Sequence, residues 1–498
     1  MPIFIALSWL NFFTFGPSLS QVSAFLALSL GSVLIPMRTY VDWPKSTASA
    51  WLLAGTLSSV MALVQYLGWS AHFSPFISAT LPGEAFANLR QRNLFATLTN
   101  ISLAALLWWS VQAERSVARK GLAVLAVLLA AGNAASSSRT GFFQVSLICL
   151  LTGLWGGFRV PLTRKLLTVY VLGYVAALFV LPLLIGLSPF THGAWARLQG
   201  GDVLCSSRST LWRNVLYLIA QKPWLGWGWG ELDYAHYITL FPGERFCAIL
   251  DNAHNLPLHL AVELGVPFAA CFCMALLWLT WRAEPWAEPD ATRQMAWSVL
   301  AVIGLHSLLE YPLWYGPFQM AVVLCVVLLW VTPARSLACQ KTPIPDSNQR
   351  LVRAAGASTA AILLIAVGYA SWDYYRISQI YLSPKERSAA YREDTLRKIK
   401  GSWLFSAQVE FAELAITPLT PENALEQHRM AIEMLHFSPE QLVIERVIAS
   451  ARLLGLDAEV AFHRARYQAA FPEAYLAWQA TPQNSLTSPR AFPAASRP

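Results

Sequence analysis

Charge is what this sequence lacks most. Only 13 % of its 498 residues are Asp, Glu, Lys or Arg, and 55 % are hydrophobic. Soluble domains carry roughly 25 % charged residues, so the shortage excludes an ordinary soluble chain. No small-residue cleavage site follows the first apolar run, which therefore reads as a retained span and not as a cleaved signal. No Asp-x-Asp pair occurs either, which removes one common way of holding a divalent metal. Cysteine is sparse: of seven, Cys149, Cys271, Cys273 and Cys325 lie in apolar runs, Cys339 lies in a basic loop, and only Cys205 and Cys247 share a long polar loop. Those two can pair if that loop faces an oxidising compartment.

Apolar and aromatic sequence is abundant, with 21 Trp and 25 Phe. Apolar runs fall near 2–15, 20–36, 47–67, 93–112, 120–132, 141–157, 166–186, 255–281, 294–310, 317–333 and 352–371. Most approach the 17–25 residues that cross a hydrocarbon core of about 30 Å. The expected fold class is an all-α polytopic membrane protein with about eleven spans. The net charge of +8 does not point to nucleic acid, because Lys and Arg gather in the loops 38–45, 114–120, 158–165, 282–294 and 334–353, which alternate along the chain. The positive-inside rule assigns those loops to the cytoplasm. The N-terminus is then cytoplasmic, and the long loop 187–254 and the C-terminus lie outside.

From about residue 372 the composition turns soluble and helical. Thr-Pro and Ser-Pro starts precede two periodic stretches that end at Phe471-Pro472 and resemble one tetratricopeptide-like hairpin. The expected division is a membrane domain at 1–371 including the loop 187–254, an outward helical appendage at 372–480, and a Ser-, Pro- and Ala-rich disordered tail at 481–498.

The outer side is poor in basic residues, so Arg90, Arg92, Arg139, Arg197, Arg208, Arg213, Lys222 and Arg245 stand out there. They fall in or near five polar stretches: "ANLRQRNLFATL" (87–98), "SSSRTGFF" (136–143), "SSRSTLWRNVLYLIAQKPWLGWGWG" (206–230), "DNAHNLPLHLAVELG" (251–265) and "HSLLEYPLWYG" (306–316). By this topology all five share one face of the membrane. Charged groups at membrane depth are costly and mark functional cavities, and the guanidinium fork matches phosphate oxygens two at a time. A lipid carrier with a phosphate or pyrophosphate head fits such a rim. Asn255 is an expected N-cap with Pro257 in the first turn, so His254 stands at a helix start. The positive end of the helix dipole favours an uncharged imidazole there, the form a general base needs. His259 and Glu263 are four apart and can pair, as can His306 and Glu310. His254 and His259 diverge around the helix and make no zinc set. Plainer readings stand beside these: loop solvation for any one arginine, a helix-start hydrogen bond for His254, bundle-core packing for His259 and His306, and interfacial anchoring for the Trp-rich turn 224–229 and for Tyr311 and Tyr315.

In this order the motifs "RQRN", "SSRTG", "SSRSTLWR", "AHN…ELG" and "HSLLEYPLWY" resemble the bacterial protein O-oligosaccharyltransferases of the O-antigen ligase/polymerase superfamily, over about residues 80–450. The resemblance implies a GT-C-type helical bundle in the bacterial inner membrane, acting on the periplasmic face with no metal and no cofactor. It implies transfer of a whole glycan from undecaprenyl pyrophosphate to Ser or Thr of a periplasmic acceptor protein such as pilin. Residue by residue, the essential histidine falls on His254, the functional glutamine on Gln91, the arginine motifs on Arg139 and Arg208, and the acidic and tyrosine positions on Glu310 and Tyr311. Arg92, Asn93 and Arg213 join them as expected donor contacts. The sequence departs from the family at the first motif. Arg90 replaces a Gly before Gln91, and Arg92-Asn93-Leu94 replaces Pro-Asn-His after it, which favours lipid-phosphate contact over catalysis there. The rival functions are an O-antigen ligase acting on lipopolysaccharide, an O-antigen polymerase, a membrane transporter and a binding-only scaffold. No paired broken helices of the transporter kind are visible in the sequence.

Overall fold

Asp42 opens the first long helix: its carboxylate accepts the Lys45 N–H at 3.0 Å, and Pro44 sits in the first turn, where its missing N–H costs nothing. The same logic recurs along the computed structural model, which describes residues 2–10, 42–113, 116–190, 205, 207–332 and 346–480. Its helices are α1 (Pro2–Leu10), α2 (Trp43–Tyr66), α3 (Arg92–Gln112), α4 (Ser116–Ala135), α5 (Arg139–Leu154), α6 (Pro161–Leu184), α7 (Arg208–Gln221), α8 (Leu232–Ile238), α9 (Leu256–Leu264), α10 (Val266–Ala283), α11 (Ala291–Ser307), α12 (Gly316–Val331) and α13 (Asp346–Ser378). Then come α14 (Thr395–Ile399), α15 (Ser406–Ile416), α16 (Ala424–Phe437), α17 (Gln441–Leu453), α18 (Asp457–Ala470) and α19 (Pro472–Ala480). No strand occurs among the described residues. The expected span at 20–36, Arg197, Cys339 with most of the loop 334–353, and the tail 481–498 lie outside them.

Among the described residues, six stretches are long and apolar enough to cross a membrane: Trp43–Tyr66, Arg92–Gln112, Ser116–Ala135, Pro161–Leu184, Val266–Ala287 and Ala354–Tyr381. The chain is a multi-pass membrane protein. Helices α5 and α12 are apolar but shorter, 16 residues each. The apolar run 255–281 reads as one span, but the chain breaks at Gly265, whose φ of +89° no continuous helix accommodates. Likewise the periodic stretch 438–472 forms two helices, because Gly455 takes φ +71° and ends α17.

Contacts divide the chain into two units: 1–201 with 277–367, and 202–276 with 368–498. The first is a helical bundle in which α2, α3, α4, α5, α6, α11 and α12 share one core. Small residues let these helices approach closely, as membrane helices do. A Cβ on Gly55 of α2 would collide with the Ser102 hydroxyl of α3. At one end of the bundle the Arg293 guanidinium donates to Glu288 at 2.6 Å and to the carbonyls of Leu329 and Thr332 at 2.7 and 2.9 Å, capping α12. The other end holds the starts of α3 and α5 and the chain beyond α11.

In the second unit Leu211, Val215 and Leu218 of α7 pack with Leu232 and Ala235 of α8 and with Leu260 and Val262 of α9. Helix α8 turns its other side, through Tyr237, to Leu414, Met434, Val447 and Tyr467 of the C-terminal helices. The Tyr237 hydroxyl meets His463 Nδ1 at 2.8 Å, and Arg466 donates to the Ile238 carbonyl at 2.7 Å. Residues of the 205–254 loop and of 406–480 are thus one packed body.

Candidate functional site

In the bundle, the site is built at the start of α3. Asn93 donates from Nδ2 to Glu310 Oε1 at 2.9 Å, and its Oδ1 accepts the Ser138 hydroxyl at 2.6 Å. Ser138 is also the N-cap of α5, accepting the Gly141 N–H at 3.0 Å. That cap fixes where Arg139 leaves the helix start; its side chain is exposed, whereas Ser136, Ser137 and Ser138 are buried. Structure therefore brings Asn93, Glu310 and the base of Arg139 together. Arg92 forms an ion pair with Glu84. The Gln91 Oε1 is buried and has no hydrogen-bond partner among the described protein atoms, a condition that demands a reason in a native chain. Tyr311 stacks on Tyr315, ring centroids 6.0 Å apart.

In the second unit, Ser207 caps α7 by accepting the Thr210 N–H at 3.2 Å, so Arg208 is its first residue; Arg213 lies exposed one turn on. The Cys205–Cys247 disulfide forms, with Cα atoms 5.3 Å apart and the two cysteines 42 positions apart in the sequence. Asn214 holds the returning strand of loop, donating to the Glu244 carbonyl at 2.9 Å and accepting the Phe246 N–H at 2.8 Å. Trp212 Nε1 reaches the Ala253 carbonyl at 3.1 Å. These links tie α7 to the residue before His254.

His254 is half-buried, and its φ is +50°. Few non-glycine residues occupy the left-handed region, and those that do concentrate at functional sites. Its N–H donates to Asn252 Oδ1 at 2.8 Å, and Asn255 caps α9 by accepting the Leu258 N–H at 3.0 Å. Ala87, Arg90 and Ser137 share the positive φ, so three motif stretches carry the same kind of strained turn.

The far end of α9 is held by a turn whose role the sequence did not reveal. Pro223 accepts the Val266 N–H at 2.8 Å, while Trp227 and Gly228 donate to Val262 and Glu263 carbonyls at 2.9 Å. Gly226 and Gly265 permit this: a Cβ on either would sit 2.3 or 2.1 Å from a facing carbonyl oxygen. The exposed Trp224, Leu225 and Trp229 side chains ride on that docked turn.

His259 and Glu263 do meet, Nε2 to Oε2 at 3.4 Å, and both are buried. Burial pushes the His259 imidazole down to about 4 and the Glu263 carboxyl up to about 7, so neither is charged in mildly acidic solution. The carboxyl also accepts N–H groups of Gly230 and Leu232. Since its folded pKa lies above its unfolded value, the unfolded chain ionises first as pH rises, and stability falls between about 4.5 and 7. Glu263→Gln keeps the hydrogen-bonding shape and removes the titration. It should match wild type at pH 4.5 and unfold at a higher temperature at pH 8; equal midpoints at pH 8 would show that the carboxyl is not held neutral.

Residues 124–273, which contain Arg139, Arg208 and His254, match the O-antigen ligase family. Residues 85–109, which contain Gln91 and Asn93, match the protein glycosylation ligase family. Residues 294–485, with Glu310, match the C-terminal region of the virulence factor membrane-bound polymerases. Two Acinetobacter baylyi proteins are similar. One, a general O-oligosaccharyltransferase, is 24 % identical over 353 residues, covering 67 % of this chain and 58 % of that protein. The other, a ComP-specific O-oligosaccharyltransferase, is 26 % identical over 282 residues, covering 56 % and 50 %. The chain thus spans only about half the length of the curated relatives it matches. No solved structure matches.

Proposed function

We propose that this chain is a lipid-linked oligosaccharide glycosyltransferase, a protein O-oligosaccharyltransferase. It moves a whole glycan from undecaprenyl pyrophosphate to Ser or Thr hydroxyls of an exported, pilin-like protein, on the periplasmic face of the inner membrane. The observation that carries the reading is His254. It is held in left-handed backbone at the mouth of α9, within the segment that matches the O-antigen ligase family. The named activity of the two A. baylyi proteins supports the same chemistry.

In this account His254 orients the acceptor hydroxyl and takes its proton as that oxygen attacks the anomeric carbon. Displacement is in line and inverts the centre. Arg139 and Arg208, aided by Arg213, receive the pyrophosphate and stabilise the charge that grows as the C–O bond opens. Pyrophosphate leaves readily, so no strong general acid is needed. Gln91, Asn93 and Tyr311 bind substrate, and Glu310 joins His254, Arg139 and Arg208 as a catalytic residue. Arg92 pairs with Glu84 through one N–H, and its remaining N–H groups serve the donor. About eleven spans, a cytoplasmic N-terminus and an outward C-terminal appendage belong to the same proposal.

Arg208→Lys keeps the charge and loses the fork. Consumption of a fluorescent lipid-linked glycan should fall about 10²–10³-fold, the cost of removing one transition-state donor; unchanged consumption would take Arg208 out of the donor contact. A second reading, an O-antigen ligase acting on lipopolysaccharide, is favoured by the match at 124–273. Comparing glycoproteins and capped lipopolysaccharide in cells with and without the active protein separates the two by which product disappears.

A further inference from the structure

Polar side chains buried among membrane helices are costly unless paired, yet five helices of the bundle contribute them to one cluster. Thr97 and Asn100 of α3, Asn133 of α4, Gln144 of α5, Tyr170 of α6 and His306 of α11 are all fully buried. One series of their hydrogen bonds runs in a single direction, beside side bonds from Asn133 to the Tyr170 hydroxyl and from Asn100 to the Gly141 carbonyl. Asn133 Nδ2 donates to Asn100 Oδ1 at 3.2 Å, and Asn100 Nδ2 donates to Gln144 Oε1 at 2.9 Å. Gln144 Nε2 donates to the Thr97 hydroxyl at 2.8 Å, and that hydroxyl donates to the Asn93 carbonyl at 2.8 Å. Asn93 Nδ2 then donates to Glu310. Every donor in the series points toward the carboxylate. Bonds aligned in this way polarise one another.

The Thr97 hydroxyl has one hydrogen and three neighbours. It accepts from Gln144 and gives its hydrogen to the Asn93 carbonyl. His306 Nδ1, 2.8 Å away, must then be the donor in that contact. Gln144 Nε2 spends its second hydrogen on the Val302 carbonyl of α11 at 3.1 Å, which links the helix bearing His306 to α5. Asn93 and the chain leading to Glu310 are thereby fixed from beneath by one hydroxyl.

We propose that Thr97, Gln144 and His306 are positioning residues, a buried relay that sets Asn93 and Glu310 in the geometry the glycan transfer needs. This rests on the transferase reading above. None of the three touches substrate in the proposed mechanism; they act through Asn93 and Glu310.

Two variants isolate the hydroxyl. Thr97→Val removes it and keeps the shape, whereas Thr97→Ser keeps it. In purified protein supplied with a lipid-linked glycan and an acceptor protein, Thr97→Val should lower kcat about 10–100-fold, the scale of a small misplacement at the reacting centre. Thr97→Ser should restore kcat. If Thr97→Val keeps wild-type kcat, or if its loss follows only the fraction of folded protein, the relay has no positioning role. The second readout needs no activity: nitrogen-15 NMR of labelled His306 should show the proton on Nδ1. A proton on Nε2 alone would break the proposed direction even in an active enzyme. Wild-type protein that transfers no glycan would overturn the transferase reading instead, leaving the His306 tautomer to judge the network by itself.

Discussion

Replacing His254 by alanine lowers glycan transfer about 10²–10⁴-fold, the usual worth of a positioned base, and leaves the protein folded with its lipid donor still bound. The imidazole is only half-buried, so its removal disturbs little packing. The backbone at 254 is the complication, because alanine is poorly suited to φ +50°. Asparagine enters that region more readily than most residues. His254→Asn therefore keeps the turn and deletes the base, and the two variants should lose turnover alike. A binding protein or transporter would tolerate both. Near-normal turnover in His254→Asn would remove the base from the mechanism and leave the turn as the reason for the unusual backbone.

The second large effect is structural. Gly265→Ala should unfold or loosen the unit that carries His254, costing more than about 4 kcal/mol, which single substitutions reach only through a severe clash or an unpaired buried group. The new Cβ would lie 2.1 Å from the Trp224 carbonyl oxygen and 2.9 Å from the Leu225 nitrogen, at φ +89°. Relief requires moving main chain on both sides. That breaks the Val266-to-Pro223 bond and the two bonds from Trp227 and Gly228. Gly230→Ala is the control: its φ is +80°, but no atom lies within 4 Å of its Cβ, so only the conformational cost remains, about 1 kcal/mol. The unfolding midpoint and the rate of trypsin cleavage in the 205–254 loop measure both. Equal behaviour of the two variants would mean that the turn is not docked on Gly265.

The helical, membrane-spanning character of the chain was legible because long apolar runs with few charges have one solution in a bilayer. Local chemistry was legible too: Asn255 caps α9, and the His259–Glu263 spacing brings that pair together. The break at Gly265 was not, since hydrophobicity runs unbroken across it. Its cause lies some forty residues earlier, in the glycines of "LGWGWG", which only matter once that turn docks. The buried relay also escaped notice, although Asn93, Thr97 and Asn100 at i, i+4 and i+7 mark one polar stripe on an otherwise apolar helix. What such a stripe faces is set by α5 and α11, and sequence spacing on α3 holds no information about them.

The most direct measurement takes the purified protein in liposomes with undecaprenyl-pyrophosphate-linked oligosaccharide and a pilin-like acceptor, and reads the intact mass of the acceptor. The account predicts a mass gain equal to the complete oligosaccharide on a Ser or Thr, lost in His254→Asn. An unmodified acceptor, with the sugar instead joined to lipopolysaccharide or lengthened on its own carrier, would contradict it.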